Sequence, residues 1–495
     1  MEKQQVGCGI SRPHVALYPA VGLGHLIPFI ELARKLVSSH GFAVTLITPA
    51  WNVSPSQTKY VSDLLSSNPN TIRQIELPQI PSDGQDTKDD GNYFLEQISK
   101  SMPAVEQNLR ILQQSNHPFS PIRALISDLF HVATLNVTDS LGLPNYVLFT
   151  SSAAFLYFML CVPRLYLSEG NEAPPVSVNI PGWKKPFSEG DFPDLFRNKS
   201  NPMFHGFLGL CSPLRAMKGI LVNTFYDLEA QSIHALLSRS VVEIDRLPPV
   251  HAVGPIMRSI DLPQADSEGE ESLKLWLDSR ANASVVFASF GTWGLMSREQ
   301  LTEIALGLEA SGVNFVWVVR GISITGSGAS RFSSSLEVEL SSVLPEGFLS
   351  RVEGRGLVLP SWAPQVTILS HPAVGAFVSH CGWNSTLEAI WFGVPIVAWP
   401  LYAEQRMNCL LIVTEWMVGL EAVKGEDGLV GRAELQSVLE KVMDGEDGRL
   451  VRKNMEELSL KARCAVTEKE GSSFVCMEAA FSDLAIAATE IKHND

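Results

Sequence analysis

The sequence predicts an α/β protein built from two doubly wound halves, each a parallel sheet flanked by helices. Short apolar runs alternate with stretches of helical period along most of the chain. Nearly every apolar run is followed by glycine or a polar residue, as at the carboxyl ends of buried parallel strands. A polar, acidic stretch interrupts the pattern near the middle, and 495 residues exceed the roughly 150 of one ordinary domain.

His14-Val-Ala-Leu-Tyr18 reads as the first strand, Pro19 to Gly24 as a glycine-containing turn, and Leu26 to Ser39 as a helix with apolar residues at Leu26, Ile30, Leu32 and Leu36. Ala43 to Ile47 closes this βαβ unit. Further strands are predicted at 123–127 and 146–149. Around Val253-Gly-Pro-Ile256 the pattern stops, and 258–271 carries Asp261, Asp266, Glu268, Glu270 and Glu271, a composition suited to a linker. A second series follows at 284–290, 314–319, 357–362, 375–379 and 395–399. Between its second and third strands, 321–343 is rich in Ser and Gly and reads as a surface loop. The tail from 473 to 491 has helical spacing. The expected division is 1–257, a linker at 258–272, a second half at 273–472, and a terminal helix at 473–495 packing back on the first half.

Composition excludes several classes. With 45% apolar and 18% charged residues the chain is an ordinary globular protein. Lys and Arg number 38 against 53 Asp and Glu, a formal charge of −15 with no basic run, so nucleic acid is not an expected partner. Seven scattered cysteines without a Cys-x-x-Cys pair form neither a disulfide framework nor a zinc cluster, which points to a cytoplasmic protein. Residues 1–10 offer no secretory h-region. The best membrane stretch, 146–162, is broken by Thr150-Ser-Ser152 and ended by Pro163, too short to span.

Ligands of parallel α/β sheets bind beyond the strands' carboxyl ends. In this sequence those ends carry Gly22-Leu-Gly-His25, Asp128 and Thr150 in the first half. Gly291-Thr292, Trp362, His380-Cys-Gly-Trp383 and Glu404-Gln405 occupy them in the second. Asn384 or Ser385 can cap a helix ending at Phe392, with Gly393 as its left-handed stop; Ser385-x-x-Glu388 has capping-box spacing. The same glycine-flanked helix start can instead receive a phosphate. His25 opens a helix, which disfavours imidazolium and leaves a neutral ring able to take a proton. Asp128 at a neighbouring strand end can hold that ring's other N–H.

Trp362-Ala-Pro-Gln365, His371-Pro, Ser379-His-Cys-Gly-Trp-Asn-Ser385, Glu388, Gly393-Val-Pro395 and Trp399-Pro-Leu-Tyr-Ala-Glu-Gln405 span 44 residues. This segment resembles the signature box of plant secondary-product glycosyltransferases. Gly22-x-Gly-His25 and Trp276-Leu-Asp278 before Ser289-Phe-Gly-Thr292 extend the similarity over nearly the whole chain. The resemblance implies a UDP-dependent glycosyltransferase with the GT-B arrangement of two facing Rossmann-like domains, the first binding acceptor and the second UDP-sugar. It further implies a monomer with no cofactor and no metal. Carried over by position, Trp362 would stack on uracil, Ala363 meet the base through its backbone, and Gln365 and Glu388 bind the ribose hydroxyls. Thr292, His380, Asn384 and Ser385 would hold the diphosphate, with Thr150 grouped among the donor-site residues. Trp383, Glu404 and Gln405 would contact the sugar, and Gln405 would accompany glucose rather than galactose. His25 and Asp128 would be the catalytic dyad of an inverting transfer.

Phe94, Phe155, Phe158, Trp183 and Phe204 are aromatic positions of the first half able to line a flat acceptor pocket. The default acceptor is a flavonoid-like plant phenol attacked through oxygen. Segments 145–152 and 179–182 resemble the branch of the family that transfers to ring carbon, whereas the Asp-Pro-Phe motif of that branch is replaced by Asn92-Tyr-Phe94, so bond type stays open. A UDP-sugar epimerase, or a non-catalytic UDP-sugar sensor, would keep the same nucleotide site.

Overall fold

The computed structural model describes residues 12–80, 90–114, 119, 121–167, 177–197, 203–238, 247–258, 268–292, 294–321, 339–467 and 469–490. In the first half lie β1 (His14–Tyr18), β2 (Ala43–Thr48), β3 (Ile72–Glu76), β4 (Ile122–Asp128), β5 (Asn145–Phe149), a small antiparallel pair β6 (Ser177–Val178) and β7 (Phe187–Ser188), β8 (Gly219–Val222) and β9 (Val250–Ala252). The second half contains β10 (Val285–Ser289), β11 (Asn314–Val319), β12 (Gly356–Pro360), β13 (Val374–Ser379), β14 (Ile396–Ala398) and β15 (Gly419–Glu421).

Two parallel sheets result, ordered β3-β2-β1-β4-β5-β8-β9 and β12-β11-β10-β13-β14-β15. Strand order reverses between β1 and β4 in the first sheet and between β10 and β13 in the second, the positions at which an open α/β sheet forms a ligand crevice. His25, Asp128, Thr292 and His380 stand at or just beyond the carboxyl ends of these four strands, so topology alone brings the motif residues to two crevices.

The predicted strands appear within a residue or two of their expected ends. Helix Leu23–His40 starts earlier than predicted, at Gly22 with φ of 100°, so His25 sits inside its first turn; Gly41 closes it in the left-handed conformation. Helix Glu268–Asp278 begins inside the predicted linker, whose residues 259–267 lie outside the described ones. Most of the predicted 321–343 loop, at 322–338, is also outside them, and 340–343 form a helical turn. The apolar stretch 146–162 is β5 followed by the buried start of helix Ala153–Leu167. Among the described residues no helix is long and apolar enough to cross a membrane.

One apolar cluster runs through both halves, joining Phe225 and Leu236 of the first to Trp383, Met407 and Ile412 of the second. The terminal helix Ser472–Glu490 returns to the first sheet. There Met477, Ala480, Phe481 and Leu484 share a cluster with Phe42, Val44 and Ile126, and His40 Nε2 lies 2.9 Å from Glu478 Oε1. Burying a side chain of Phe481's size stabilises by about 1.5–3 kcal/mol.

Candidate active site

The two sets of strand ends face one cavity of about 390 Å³, lined from both halves and within the size range of small-molecule sites. On its first-half wall, β1 and β4 end side by side. His25 Nδ1 is 2.8 Å from Asp128 Oδ2, and Asp128, fully buried, also accepts from Phe130 N at 3.0 Å. The Thr150 hydroxyl lies 3.2 Å from the same Nδ1, so Nε2 is the ring nitrogen left to a cavity ligand. Burial pulls the His25 pKa down, but the charge of Asp128, the hydrogen bond to it and the charge of Glu404 outweigh it, and the net shift is upward from 6.5. Burial disfavours the imidazolium and the two carboxylates favour it, and with Asp128 holding Nδ1 the nitrogen placed to take a proton is Nε2.

On the second-half wall, helix Trp383–Phe392 starts at Gly382 with no side-chain cap, which corrects the expected Asn384 or Ser385 cap and the capping box. Its first N–H groups are thus not claimed by a side chain, as an anion site requires. Gln365 Nε2 donates instead to Ser385 Oγ at 3.0 Å and to Glu388 Oε2 at 2.6 Å. Burial pushes the Glu388 carboxyl up to about 7, although the Gln365 hydrogen bond and the Arg258 charge oppose it. Gly393 ends the helix in the left-handed conformation, as expected.

His380 is packed between two glycines. A Cβ at Gly291, where φ is 75°, would stand 2.5 Å from His380 Nε2, and one at Gly382 would stand 2.4 Å from it. Burial and then the Arg320 charge drive the His380 pKa down to about 4. The ring is uncharged at neutral pH, so it can hydrogen-bond a phosphate but cannot neutralise one. Thr292 and Ala363 also line the cavity, and Trp362 stands at its rim, 41% exposed behind left-handed Ser361, in contrast with the buried Trp317 and Trp399. A large aromatic left this open beside a cavity is a platform for a planar ligand.

Other predicted side chains are already engaged. Trp383 Nε1 donates to Asn223 O at 2.7 Å, and Asn384 Nδ2 to Gly24 O at 2.6 Å, tying the two halves together one residue from His25. Glu404 Oε1 accepts from Ser151 Oγ at 3.0 Å across the same junction. Gln405 Oε1 accepts from Leu401 N and Tyr402 N at 2.9 and 3.0 Å, so its Nε2 is the end that remains to serve a ligand.

Of the five aromatic positions, Phe94 and Phe155 line the cavity. Phe158, Trp183 and Phe204 do not: Phe158 packs on Phe187, Phe192 and Phe196, Trp183 on Phe187, and Phe204 on Phe196 and Tyr166, filling the core beneath it. Sequence reasoning missed Phe130, Phe149, Phe207, Met159, Tyr60, Arg258 and Arg320, all lining residues. Phe149 and Arg320 could have been found by the rule that located Thr150 and Thr292, since each stands at the carboxyl end of a strand. No group of three or more His, Cys, Asp or Glu side chains gathers as a metal site among the described residues.

Two facing Rossmann-like sheets, with an uncapped helix start on one wall and a His–carboxylate pair on the other, define a GT-B glycosyltransferase. Residues 231–461 match the family described as "UDP-glucoronosyl and UDP-glucosyl transferase". The chain is 37% identical over 465 residues to a hydroquinone glucosyltransferase of Rauvolfia serpentina, covering 93% of this chain and 95% of that one. Among solved structures it is similar to Phytolacca americana UGT2 complexed with UDP-2-fluoro-glucose and pterostilbene, at 35% identity and a TM-score of 0.81 over 96% of this chain and 99% of that one. It is also similar to TcCGT1 in complex with UDP, at 32% identity and a TM-score of 0.87 over 96% and 100%. The chain belongs to the family of plant UDP-glycosyltransferases of natural-product metabolism.

Proposed function

We propose that the enzyme transfers glucose from UDP-glucose to a hydroxyl of a small phenolic, flavonoid-like acceptor, with inversion and without a metal. The observation that carries this reading is the joint cavity, with the His25–Asp128 pair on one wall and the uncapped helix start at Gly382 on the other. Trp362 takes the uracil face, and Glu388 with Gln365 the ribose hydroxyls. The diphosphate lies at the helix start beside His380, Ser385 and Thr292. Glu404 and Gln405 meet the sugar, the latter through Nε2.

The acceptor lies among Phe94, Phe130, Phe155 and Phe207, an apolar enclosure suited to a flat ring. Its oxygen attacks the anomeric carbon from the face opposite UDP while its proton passes to His25 Nε2. Asp128 stabilises the imidazolium that forms, and the C–O bond to UDP breaks as the new one forms. Relatives acting on hydroquinone, or crystallised with pterostilbene, support a phenolic acceptor.

Oxygen transfer is supported over carbon transfer by Asn92-Tyr-Phe94 standing where the carbon-transferring branch has Asp-Pro-Phe, while the two segments that resemble that branch hold local contacts. Ser152 Oγ accepts from Phe155 N at 3.0 Å as a helix cap, and Ser151 holds Glu404. Pro181 O accepts from Ser232 Oγ at 2.9 Å, and Gly182 abuts Gln231, away from the cavity. Phe149, Thr150 and Ser151 of the first segment also line the cavity, where they serve either nucleophile. Incubation with UDP-glucose and a panel of phenols, followed by hot acid, tests the reading. A product of one added hexose that releases glucose is expected, an acid-stable product with a carbon-bonded anomeric signal overturns oxygen transfer, and an epimerised donor or no turnover overturns the transferase reading.

A further inference from the structure

We infer that Arg320 is the cation that receives the diphosphate and carries its growing charge as UDP leaves; this rests on the cavity being a UDP-sugar site. The residue directly follows β11 at its carboxyl end, in the same layer as Thr292 after β10 and His380 after β13. It lines the cavity, and its Nη1 donates to Thr292 O at 2.9 Å, which pins the guanidinium to that wall. Among the described residues one carbonyl takes one of its five N–H donors, which leaves the rest of the fork to face an anion.

The site needs such a charge. A diphosphate in a sugar nucleotide carries two negative charges and gains a third on departure, while a helix start supplies about half of a positive charge. His380 is uncharged and adds none. Arg320 is near enough for its charge to act on His380. Among the described residues the group that acts electrostatically on Arg320 is the Tyr402 phenol, not a carboxylate, and burial draws the guanidinium below its ordinary pKa. A half-buried arginine with no acidic partner among the described residues, fixed by its own strand-end neighbour, is in the condition of a residue whose counter-ion is the ligand.

Arg320→Gln and Arg320→Lys test this, with UDP and uridine affinities measured by calorimetry alongside turnover. For Arg320→Gln, UDP binding should weaken by about 10- to 100-fold while uridine binding stays within twofold. Turnover should fall by about 10²–10³-fold, as on removing one positioned donor from a developing anion. Lysine, or guanidinium ion added to Arg320→Gln, should restore part of it. The His380 ring should titrate at higher pH in Arg320→Gln, as the loss of a neighbouring positive charge requires, and the split between UDP and uridine affinity is the readout that a purely structural arginine would not move. Unchanged UDP affinity, or equal losses of UDP and uridine, overturns the assignment to Arg320 and leaves the donor site standing. Failure of the unaltered enzyme to bind either ligand overturns the donor-site reading itself.

Discussion

Replacing Glu388 by Gln should make the unliganded enzyme more stable and its UDP site weaker. Glu388 is 7% exposed and receives one close hydrogen bond, from Gln365, while burial raises its pKa from 4.5 to about 7. A folded-state pKa above the unfolded value means that this group stabilises the fold at pH below 4.5 and that the contribution is lost as pH rises through 7. At about 1.36 kcal/mol per unit, the loss is of the order of 3 kcal/mol by pH 8, most of it between pH 5 and 8. Glutamine does not titrate, keeps the volume, and can still accept from Gln365 through its carbonyl. Thermal melts from pH 5 to 8 should therefore show Glu388→Gln pulling ahead of the parent as pH rises, by about 6–12 °C at pH 8 for a cooperative unit the size of the second half. Calorimetry on the same samples should find UDP binding weaker by about 10- to 100-fold, the loss expected when ribose hydroxyls exchange a charged acceptor for a neutral one. A melting difference identical at pH 5 and pH 8 would refute the stability argument. Undiminished UDP affinity would remove Glu388 from the ribose.

His25→Ala should lower turnover by about 10²–10⁴-fold with UDP affinity changed no more than a few fold, and parallel losses in both would make His25 structural. Asp128→Asn removes one of the charges holding the His25 pKa up, so the acidic limb of kcat/KM should move to lower pH while the plateau falls; a limb that stays in place contradicts the pairing. UDP-glucose should be preferred over UDP-galactose in competition. Gln405→Ala should erase that preference and also loosen the 401–405 turn it closes, which proteolysis would report.

What the sequence made legible follows from how local each feature is. Nine of the thirteen strands of the two described sheets could be read because apolar runs and glycine ends are local signals, and they carried His25, Asp128, Thr292 and His380 to the crevices with them, whereas β3, β8, β9 and β15 were not foreseen. Helix Trp383–Phe392 was misjudged at its start because Ser385 and Glu388 have capping-box spacing; Gln365, 20 residues earlier, competes for both side chains. The aromatic wall was only partly legible. Phe155 and Phe158 stand three apart on one helix, yet one faces the cavity and the other faces Phe192 and Phe196, a choice made by elements distant in sequence. Arg258 and Arg320 escaped notice because a single arginine after a strand reads as a solvated charge until the opposite half covers it. Glu404 adds to the upward push that Asp128 gives the His25 pKa, and no pattern near residue 25 announces it.

The returning terminal helix changes what can be exchanged between members of this family. The chain leaves the first half after β9 and comes back at Ser472, so the polypeptide that completes the first sheet is split, with its last piece encoded at the far end. A chimaera joined once, near residue 257, would set one parent's Met477, Phe481 and Leu484 against the other parent's Phe42 and His40, mismatching a core rather than a surface. Recombination that respects the architecture needs two junctions, one after β9 and one before Ser472, so that both pieces come from the same parent. The second half is then the insert and the first half the host, and the seam left to match between parents is the apolar cluster of Phe225 and Leu236 with Trp383, Met407 and Ile412.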